Sequence, residues 1–331
     1  MLARPPELVI VALPFTLVMK QGNSRLRLLG LPVFDSIADL AKLIHIDRGR
    51  LNVLIRYSKR FYKNYTIPKR TGGHRKISQP SKELKAIQAW ILRNILDKLI
   101  PSEHATAYIR GKKLIDNLSP HIGNRYFLSV DIEDFFPSIP RWRVERVFEL
   151  LGYSKQAVMI LANLCTYFGG LAQGAVTSPA LSNLAALKLD RRLAGLTSRR
   201  NIVFTRYSDD MTFSTNNRIV LYRTLPTILR IIQSEDFEPN EPKIRFLGPR
   251  TQCRITGLVK NSSEPRWGIG RYKKLRMRAI MHNMINNKMH DHDYPDENSI
   301  NGWLNFLKGV DEKGYLQMEK YWQRLKNNIS N

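Results

Sequence analysis

Three short apolar runs, each meeting an aspartate, constrain this chain more than any other feature. Tyr126 to Val130 runs into Asp131, Ile202 to Tyr207 stops just before Asp209-Asp210, and Met211 to Thr215 resumes with alternating character. Runs of this length read as strands, and the second and third together read as a hairpin with two carboxylates at its tip. An aspartate at a strand end often merely meets solvent, and Asp-Asp is a common turn pair. The combination says more. Carboxylates from separate strands at one sheet edge can share two Mg²⁺ ions, hard cations that take oxygen ligands and keep positions open for phosphate. Two such ions about 4 Å apart activate an attacking hydroxyl and stabilise a leaving pyrophosphate.

The charge balance points the same way. With 53 Lys and Arg against 28 Asp and Glu, the chain carries a formal +25 and needs a polyanionic partner, nucleic acid or anionic membrane. The cations recur throughout, at Arg25 and Arg27, Lys59, Arg60 and Lys63, Lys69 to Lys76, Arg191 and Arg192, and Arg271 to Arg278. A membrane-surface protein would concentrate them on one amphipathic helix, so nucleic acid is favoured. A disordered basic tail is excluded by 43% hydrophobic residues and aromatic residues spread along the chain. Two or three subdomains fit the length. Cys165 and Cys253 are too few for a disulfide framework or a four-cysteine zinc site, and read as reduced buried thiols of a cytoplasmic protein. Leu8 to Met19 is apolar over about twelve residues, too short to span a bilayer. It lacks a clear signal-cleavage site; Met19 is an alternative start, with residues 1–18 an upstream extension.

Pattern changes give the coarse organisation. Ile37 to Tyr57 has helical spacing broken around Asp47 to Gly49. Thr71-Gly72-Gly73 is a turn between Tyr65-Thr66-Ile67 and Arg75-Lys76-Ile77-Ser78, predicting a basic hairpin. Ser81 caps a helix carrying Leu84, Ile87, Ile91, Ile95 and Leu99, stopped by Pro101. Ser178-Pro179 predicts a helix start that buries Leu181, Leu184, Ala185, Leu189 and Leu193. From about Arg266 the chain reads as a basic helical module, with Trp303, Leu304, Phe306 and Leu307 anchoring a late helix.

Tyr207-Ser208-Asp209-Asp210 resembles the Tyr-x-Asp-Asp box of reverse transcriptases, and Asp131 to Ser138 resembles their first aspartate motif. Leu171 to Pro179 is similar to the Gln-Gly and Ser-Pro block between those motifs. Gln79 to Gln88 resembles an early block of retron reverse transcriptases. Asn117-Leu118-Ser119-Pro120-His121 resembles their Asn-Ala-x-x-His element, and Ile255-Thr256-Gly257 their Val-Thr-Gly element. Ser208 stands where the family usually has alanine.

The resemblance implies an α+β right-hand polymerase: an N-terminal extension over 1–24, fingers over 25–125, a palm with antiparallel sheet over 126–260 interrupted by a fingers insertion at about 140–175, and an RNA-binding helical thumb over 261–331. It implies Mg²⁺-dependent DNA synthesis on a dedicated non-coding RNA, primed by a guanosine 2′-hydroxyl and yielding branched, RNA-linked multicopy single-stranded DNA. Asp131, Asp209 and Asp210 would be catalytic and would bind two Mg²⁺ ions with the backbone carbonyl of Ile132. Arg75, Lys76, Phe136, Gln173 and Lys243 would bind the dNTP, with Phe136 excluding ribonucleotides at the sugar 2′ position and Lys243 protonating pyrophosphate. Asn117, His121, Ile255, Thr256, Gly257 and Arg271 would bind RNA, although His121 reads equally as a structural histidine. The implied partners are the RNA and its cDNA, host RNase H, and a separate effector in anti-phage defence, with no membrane. Alternatives are a group II intron or diversity-generating reverse transcriptase, or an RNA-binding scaffold that restrains an effector.

Overall fold

The computed structural model describes residues 22–68, 72–261, 265–286 and 296–327. The apolar run at Leu8 to Met19, the alternative start, and Lys69, Arg70 and Thr71 of the hairpin turn lie outside the described residues. The chain begins with three helices, α1 (Gly22–Leu28), α2 (Ile37–Ile44) and α3 (Arg48–Arg56). Ser36 and Asp39 form a capping box on α2, and Asp47 caps α3, which explains the break in the helical pattern. A basic hairpin follows, β1 (Tyr62–Pro68) paired with β2 (His74–Pro80); Gly72 and Gly73 take φ of +89° and +77° beside its turn. Ser81 caps α4 (Lys82–Asn94) as expected, but the helix ends at Asn94 and a 3-10 turn, Leu96–Lys98, carries the chain toward Pro101.

The central sheet is antiparallel, and its elements are β3 (Tyr126–Asp131), α5 (Arg141–Leu151), α6 (Lys155–Cys165), α7 (Ser178–Ala185), α8 (Leu187–Ser198), β4 (Val203–Tyr207), β5 (Asp210–Thr215), α9 (Arg218–Ser234) and β6 (Arg245–Leu247). Strand order is β4-β5-β3-β6. Helix α7 starts at Ser178 with Thr177 in the cap position, one residue before the expected cap, and the expected single helix breaks at Ala186.

The two-residue period of the strands divides the sheet into unlike faces. Leu128, Val130, Phe204, Met211 and Phe213 share one core with Leu189 and Leu193 of α8 and with Leu221, Ile228 and Ile232 of α9. On the other face the register sets Ser129 opposite Thr212, Thr212 opposite Thr205, and Asp131 opposite Asp210. This face is polar although Ser129, Thr205, Thr212 and Ser214 are all buried. Its hydrogen bonds must therefore come from protein.

A second core holds the C-terminal module, built on β7 (Arg254–Ile255), β8 (Leu258–Lys260), β9 (Trp267–Gly268), α10 (Arg271–Ile285), α11 (Glu297–Val310) and α12 (Glu312–Asn327). The three-stranded sheet straddles residue 260 by pairing Val259 with Gly268, and Phe127 and Leu118 join this core from the central part of the chain. Of the expected anchors of α11, Leu304 and Leu307 are buried while Phe306 is exposed; Ile300 and Val310 complete the stripe at helical spacing. Cys165 and Cys253 are free buried thiols, both pushed up to about 12 by burial. Among the described residues no helix is long and apolar enough to cross a membrane.

The apolar face of the sheet contains one ion pair with no exposed side-chain surface. Arg206 of β4 donates through Nε and Nη2 to the two carboxylate oxygens of Asp190 on α8, both at 2.7 Å. Removing one partner leaves the other charged and buried. Asp190→Ala is therefore expected to destabilise the protein by about 3–5 kcal/mol, read as a lower denaturant midpoint; a midpoint like the wild type's would mean that water reaches Arg206.

Candidate active site

The three aspartates converge because β3 and β5 pair in antiparallel register up to their ends. Asp131 closes β3 directly opposite Asp210, which opens β5, and Asp209 sits in the preceding turn. The turn is pinned from two sides. Ile132 N donates to the Asp209 carbonyl at 3.0 Å, and Arg206 Nη1 donates to the Ser208 carbonyl at 3.0 Å. Ser208 itself has φ of +62°, a left-handed conformation that costs a residue with a Cβ roughly 1–2 kcal/mol.

The electrostatics follow from burial and proximity. Burial raises the Asp209 carboxyl above its ordinary range, and the neighbouring Asp131 charge raises it further. Burial pushes Asp210 up to about 6, against a hydrogen bond of 3.1 Å from Ser129 Oγ and with the two other aspartates adding to the rise. Lys243 enters on a 3-10 turn, Glu241–Lys243, and its Nζ lies 2.7 Å from Asp131 Oδ1. Asn240 N fixes that approach by donating to the Asp131 carbonyl at 2.8 Å.

Phe136 is half-buried beyond β3, its ring 5.7 Å from Phe135 and 6.1 Å from Tyr108. Gln173 is partly buried, and its carbonyl accepts from Ser78 N of β2 at 2.8 Å, tying its loop to the basic hairpin. Gly174 is needed there: its φ is +121°, and a Cβ would lie 2.9 Å from the Ser78 carbonyl oxygen. Arg75 and Lys76 are both exposed, but as successive strand residues they project from opposite faces. Arg75 is the one whose charge bears on Tyr108 and hence on the site.

The expected RNA-contacting set divides. Asn117 and His121 have no exposed surface, and Ile255 is 1% exposed, so direct contact with RNA is closed to all three. His121 bridges Ser214 Oγ at 2.6 Å and Thr205 Oγ1 at 2.8 Å, while Asn117 accepts from Thr106 Oγ1 through its side chain and from Thr205 Oγ1 through its carbonyl. Burial holds the imidazole down to about 3, and these residues supply the hydrogen bonds that the polar face of the sheet requires. Ile255 packs in the second core, and the residues after it, Thr256 and Gly257, form a tight turn with φ of +44° and +84° whose tip, Gly257, is exposed. Arg271 is exposed and lines a cavity of about 1060 Å³ together with Arg125, Arg250, Lys260, Lys274 and Arg278. Asp311, the one acid on its wall among the described residues, is already engaged by Arg266 at 2.9 Å and Lys274 at 2.7 Å.

Sequence reasoning missed Tyr108, Ser129 and the Arg206–Asp190 pair. The two strand residues left a trace, a polar side chain interrupting an apolar run; Asp190, on a separate helix, left none.

The reverse transcriptase (RNA-dependent DNA polymerase) family matches residues 67–259. The chain is 38% identical over 303 residues to the retron Ec86 reverse transcriptase of Escherichia coli, covering 91% of this chain and 92% of that one. It is 35% identical over 278 residues to the retron Mx65 reverse transcriptase of Myxococcus xanthus, covering 76% of this chain and 64% of that one. This chain belongs to the retron reverse transcriptases. Among solved structures it is similar to a telomerase from Candida albicans in complex with a fragment of telomeric RNA, at a TM-score of 0.47 and 11% identity, covering 80% of this chain and 56% of that one.

As a retron reverse transcriptase the protein is an RNA-directed DNA polymerase with the right-hand fold, acting on an RNA template and dNTPs. Reverse transcriptases use a divalent metal, typically Mg²⁺. Among the described residues no three His, Cys, Asp or Glu side chains form a ready-made cage. The donor set nevertheless fits: the clustered carboxylates, of which Asp209 and Asp210 are raised by burial and then by the neighbouring acidic charges, offer oxygen ligands only, and Mg²⁺ needs just one or two of them beside water and substrate phosphate.

The raised Asp210 carboxyl has a stability consequence. Its folded value of about 6 lies above the ordinary 3.8, so the folded state binds the proton more tightly than the unfolded chain. Stability therefore falls as pH rises from about 4 to about 6, and stays at the lower level above that. In chelator at pH 7.5, Asp210→Asn is expected to gain about 1–3 kcal/mol over wild type, shrinking to nothing near pH 4. An equal gain at both pH values, measured by denaturant titration, would rule out the carboxylate charge as its cause.

Proposed function

We propose that this retron reverse transcriptase copies a dedicated non-coding RNA, starting from a guanosine 2′-hydroxyl of that RNA and leaving branched, RNA-linked multicopy single-stranded DNA. The setting is an anti-phage defence system with a separate effector protein, and host RNase H removes the copied template. The observation that supports the catalytic assignment best is the register of the sheet, which sets Asp131 opposite Asp210 with Asp209 in the adjoining turn.

Asp131 and Asp209 would be the direct ligands of two Mg²⁺ ions, aided by the Ile132 carbonyl, with Asp210 completing the acidic set; ions held there would supply the lowered pKa of the attacking hydroxyl and the charge that offsets the departing pyrophosphate. The bond made joins the primer oxygen to the α-phosphorus of the dNTP, and the bond broken releases pyrophosphate. Arg75 and Lys76 on the hairpin lie over the triphosphate, where cations offset developing charge; Arg75 is the one whose charge reaches Tyr108. Gln173, held against the hairpin, contacts the incoming nucleotide or its template pair. Phe136 closes on the sugar 2′ position. Lys243, within reach of Asp131, gives its proton to the leaving pyrophosphate. Thr256 and Gly257 at the hairpin tip, with Arg271 in the basic cavity, meet RNA phosphates, while Asn117, His121 and Ile255 shape that surface from beneath.

Purified protein with its RNA, dNTPs and Mg²⁺ tests the reaction. Asp209→Asn is expected to lower cDNA yield by at least about a hundredfold, as loss of a metal ligand should; wild-type yield would remove Asp209 from the chemistry. Nucleic acid extracted from the protein is expected to contain short DNA joined to RNA through a ribonuclease-resistant branch, and heterogeneous cellular RNA alone would overturn the retron-specific part. RNA affinity is expected to fall steeply with salt, and Arg271→Ala to reduce the log–log slope by about one. An unchanged slope would remove Arg271 from the phosphate contacts.

A further inference from the structure

Tyr108 is placed at the catalytic turn by a segment that runs beside β4. Arg206 N donates to the His104 carbonyl at 2.7 Å, and Thr106 N donates back to the Arg206 carbonyl at 2.9 Å, with Ala105 bridging Arg206 in the parallel sense. Asn183 Nδ2 then holds the Ala107 carbonyl at 2.8 Å. After this stitching the chain turns sharply, and Tyr108 takes φ of +61°, a strained conformation for a large side chain.

The side chain shows what the strain achieves. Its hydroxyl donates to Ser208 Oγ at 3.1 Å, so two left-handed residues are joined across the turn that carries Asp209. Its ring lies 6.1 Å from Phe136 and is inclined to it by 48°, while 49% of the residue remains exposed. Both the Asp209 carboxylate and the Arg75 guanidinium are close enough to bias the hydroxyl. A ring serving only the core would be covered. This one is held by the Ser208 hydrogen bond and left half open, where the charges of Asp209 and Arg75 both reach its hydroxyl.

We propose that Tyr108 is a specificity-determining residue that contacts the nucleoside of the incoming nucleotide, forming with Phe136 the aromatic wall of its pocket while Ser208 fixes its hydroxyl. The proposal rests on the assignment of Asp131 and Asp209 as the polymerase site. The same nucleoside chemistry is offered by the primer's terminal nucleotide; Arg75 beside the ring favours the incoming one. An alanine at position 208 would leave the Tyr108 hydroxyl without this acceptor.

Single-nucleotide extension by the full chain on an RNA template with a DNA primer tests this, with dNTP, rNTP and primer–template varied separately. Tyr108→Ala is expected to raise KM for dNTP about tenfold, to leave KM for primer–template alone, and to narrow the preference for dNTP over rNTP. Tyr108→Phe and Ser208→Ala are each expected to raise KM for dNTP about two- to tenfold, and the double variant no more than either alone, because both remove one hydrogen bond. A rise confined to KM for primer–template would assign the wall to the primer terminus and overturn the proposal. So would a loss confined to kcat, or additive effects of the two hydroxyl deletions. Should Tyr108→Ala fail to fold, the phenylalanine and alanine variants at the two hydroxyls decide. Asp209→Asn is the separate control: wild-type activity in it defeats the underlying site assignment, whereas its inactivity beside unchanged nucleotide KM in the Tyr108 variants defeats only this inference.

Discussion

The catalytic hairpin depends on a guanidinium that no water reaches. Arg206 sits on the apolar face of the sheet, with Asp190 accepting two hydrogen bonds, Asn183 Oδ1 one at 3.2 Å and the Ser208 carbonyl another at 3.0 Å. Burying such a pair gains little stability over an apolar filling, since desolvation roughly offsets the attraction. What it gives is position. Through one planar group, α7, α8 and β4 are fixed relative to the turn that carries Asp209, and the backbone of the same residue aligns the segment leading to Tyr108. A leucine in its place would fill the volume but would leave the turn carbonyl without a donor.

The opposite face of the sheet solves a different problem. Carboxylates that are to hold a cation must be kept close together and partly out of water, where burial and then the neighbouring acidic charge raise the proton affinity of Asp209 and Asp210. The fold tolerates this by lining the same face with short hydroxyl side chains and one neutral imidazole, of which Ser129, Thr205, Ser214 and His121 are hydrogen-bonded within the protein. His121 is a suitable centre for that network because burial keeps it uncharged and lets its two ring nitrogens serve two strands at once. The site is thus less stable than an apolar version of itself would be, a familiar cost of function.

Much of this was legible in the sequence, and the limits follow from what periodicity encodes. Strand runs with aspartates at their ends revealed β3, β4, β5 and the meeting of Asp131 with Asp209 and Asp210, because a two-residue period fixes faces and a turn fixes register. The Ser81 cap marked a helix start for the same local reason, and the break around Asp47 marked where α3 begins. Periodicity does not say which neighbour a face will meet. Hence Asn117 read as an RNA contact although it is a tertiary strut, His121 read equally as an RNA contact and as a structural histidine and is the latter, and Phe306 read as an anchor although its side of α11 faces solvent. Asp190 and Arg206 are sixteen residues apart across a helix and a turn, and Tyr108 and Ser208 a hundred. Pairings of that kind arise only when the layers stack.

The charge excess shows the same limit most sharply. A count of +25 establishes that the partner is a polyanion, but it cannot say which cations meet it. Several are already engaged inside the protein: Arg206 by Asp190, Arg143 by Asp236 and the Glu235 carbonyl, and Arg266 and Lys274 by Asp311. Each of these acids neutralises or orients a cation, so what faces solvent is a selected remainder. Arg75 on the hairpin and Arg271 at the mouth of the cavity belong to that remainder, being exposed. Arg206 and Arg75 carry the same group, yet only the second, being exposed, is free to meet a phosphate that arrives and leaves. Burial, more than charge, therefore separates the cations that build this polymerase from those that handle its substrate.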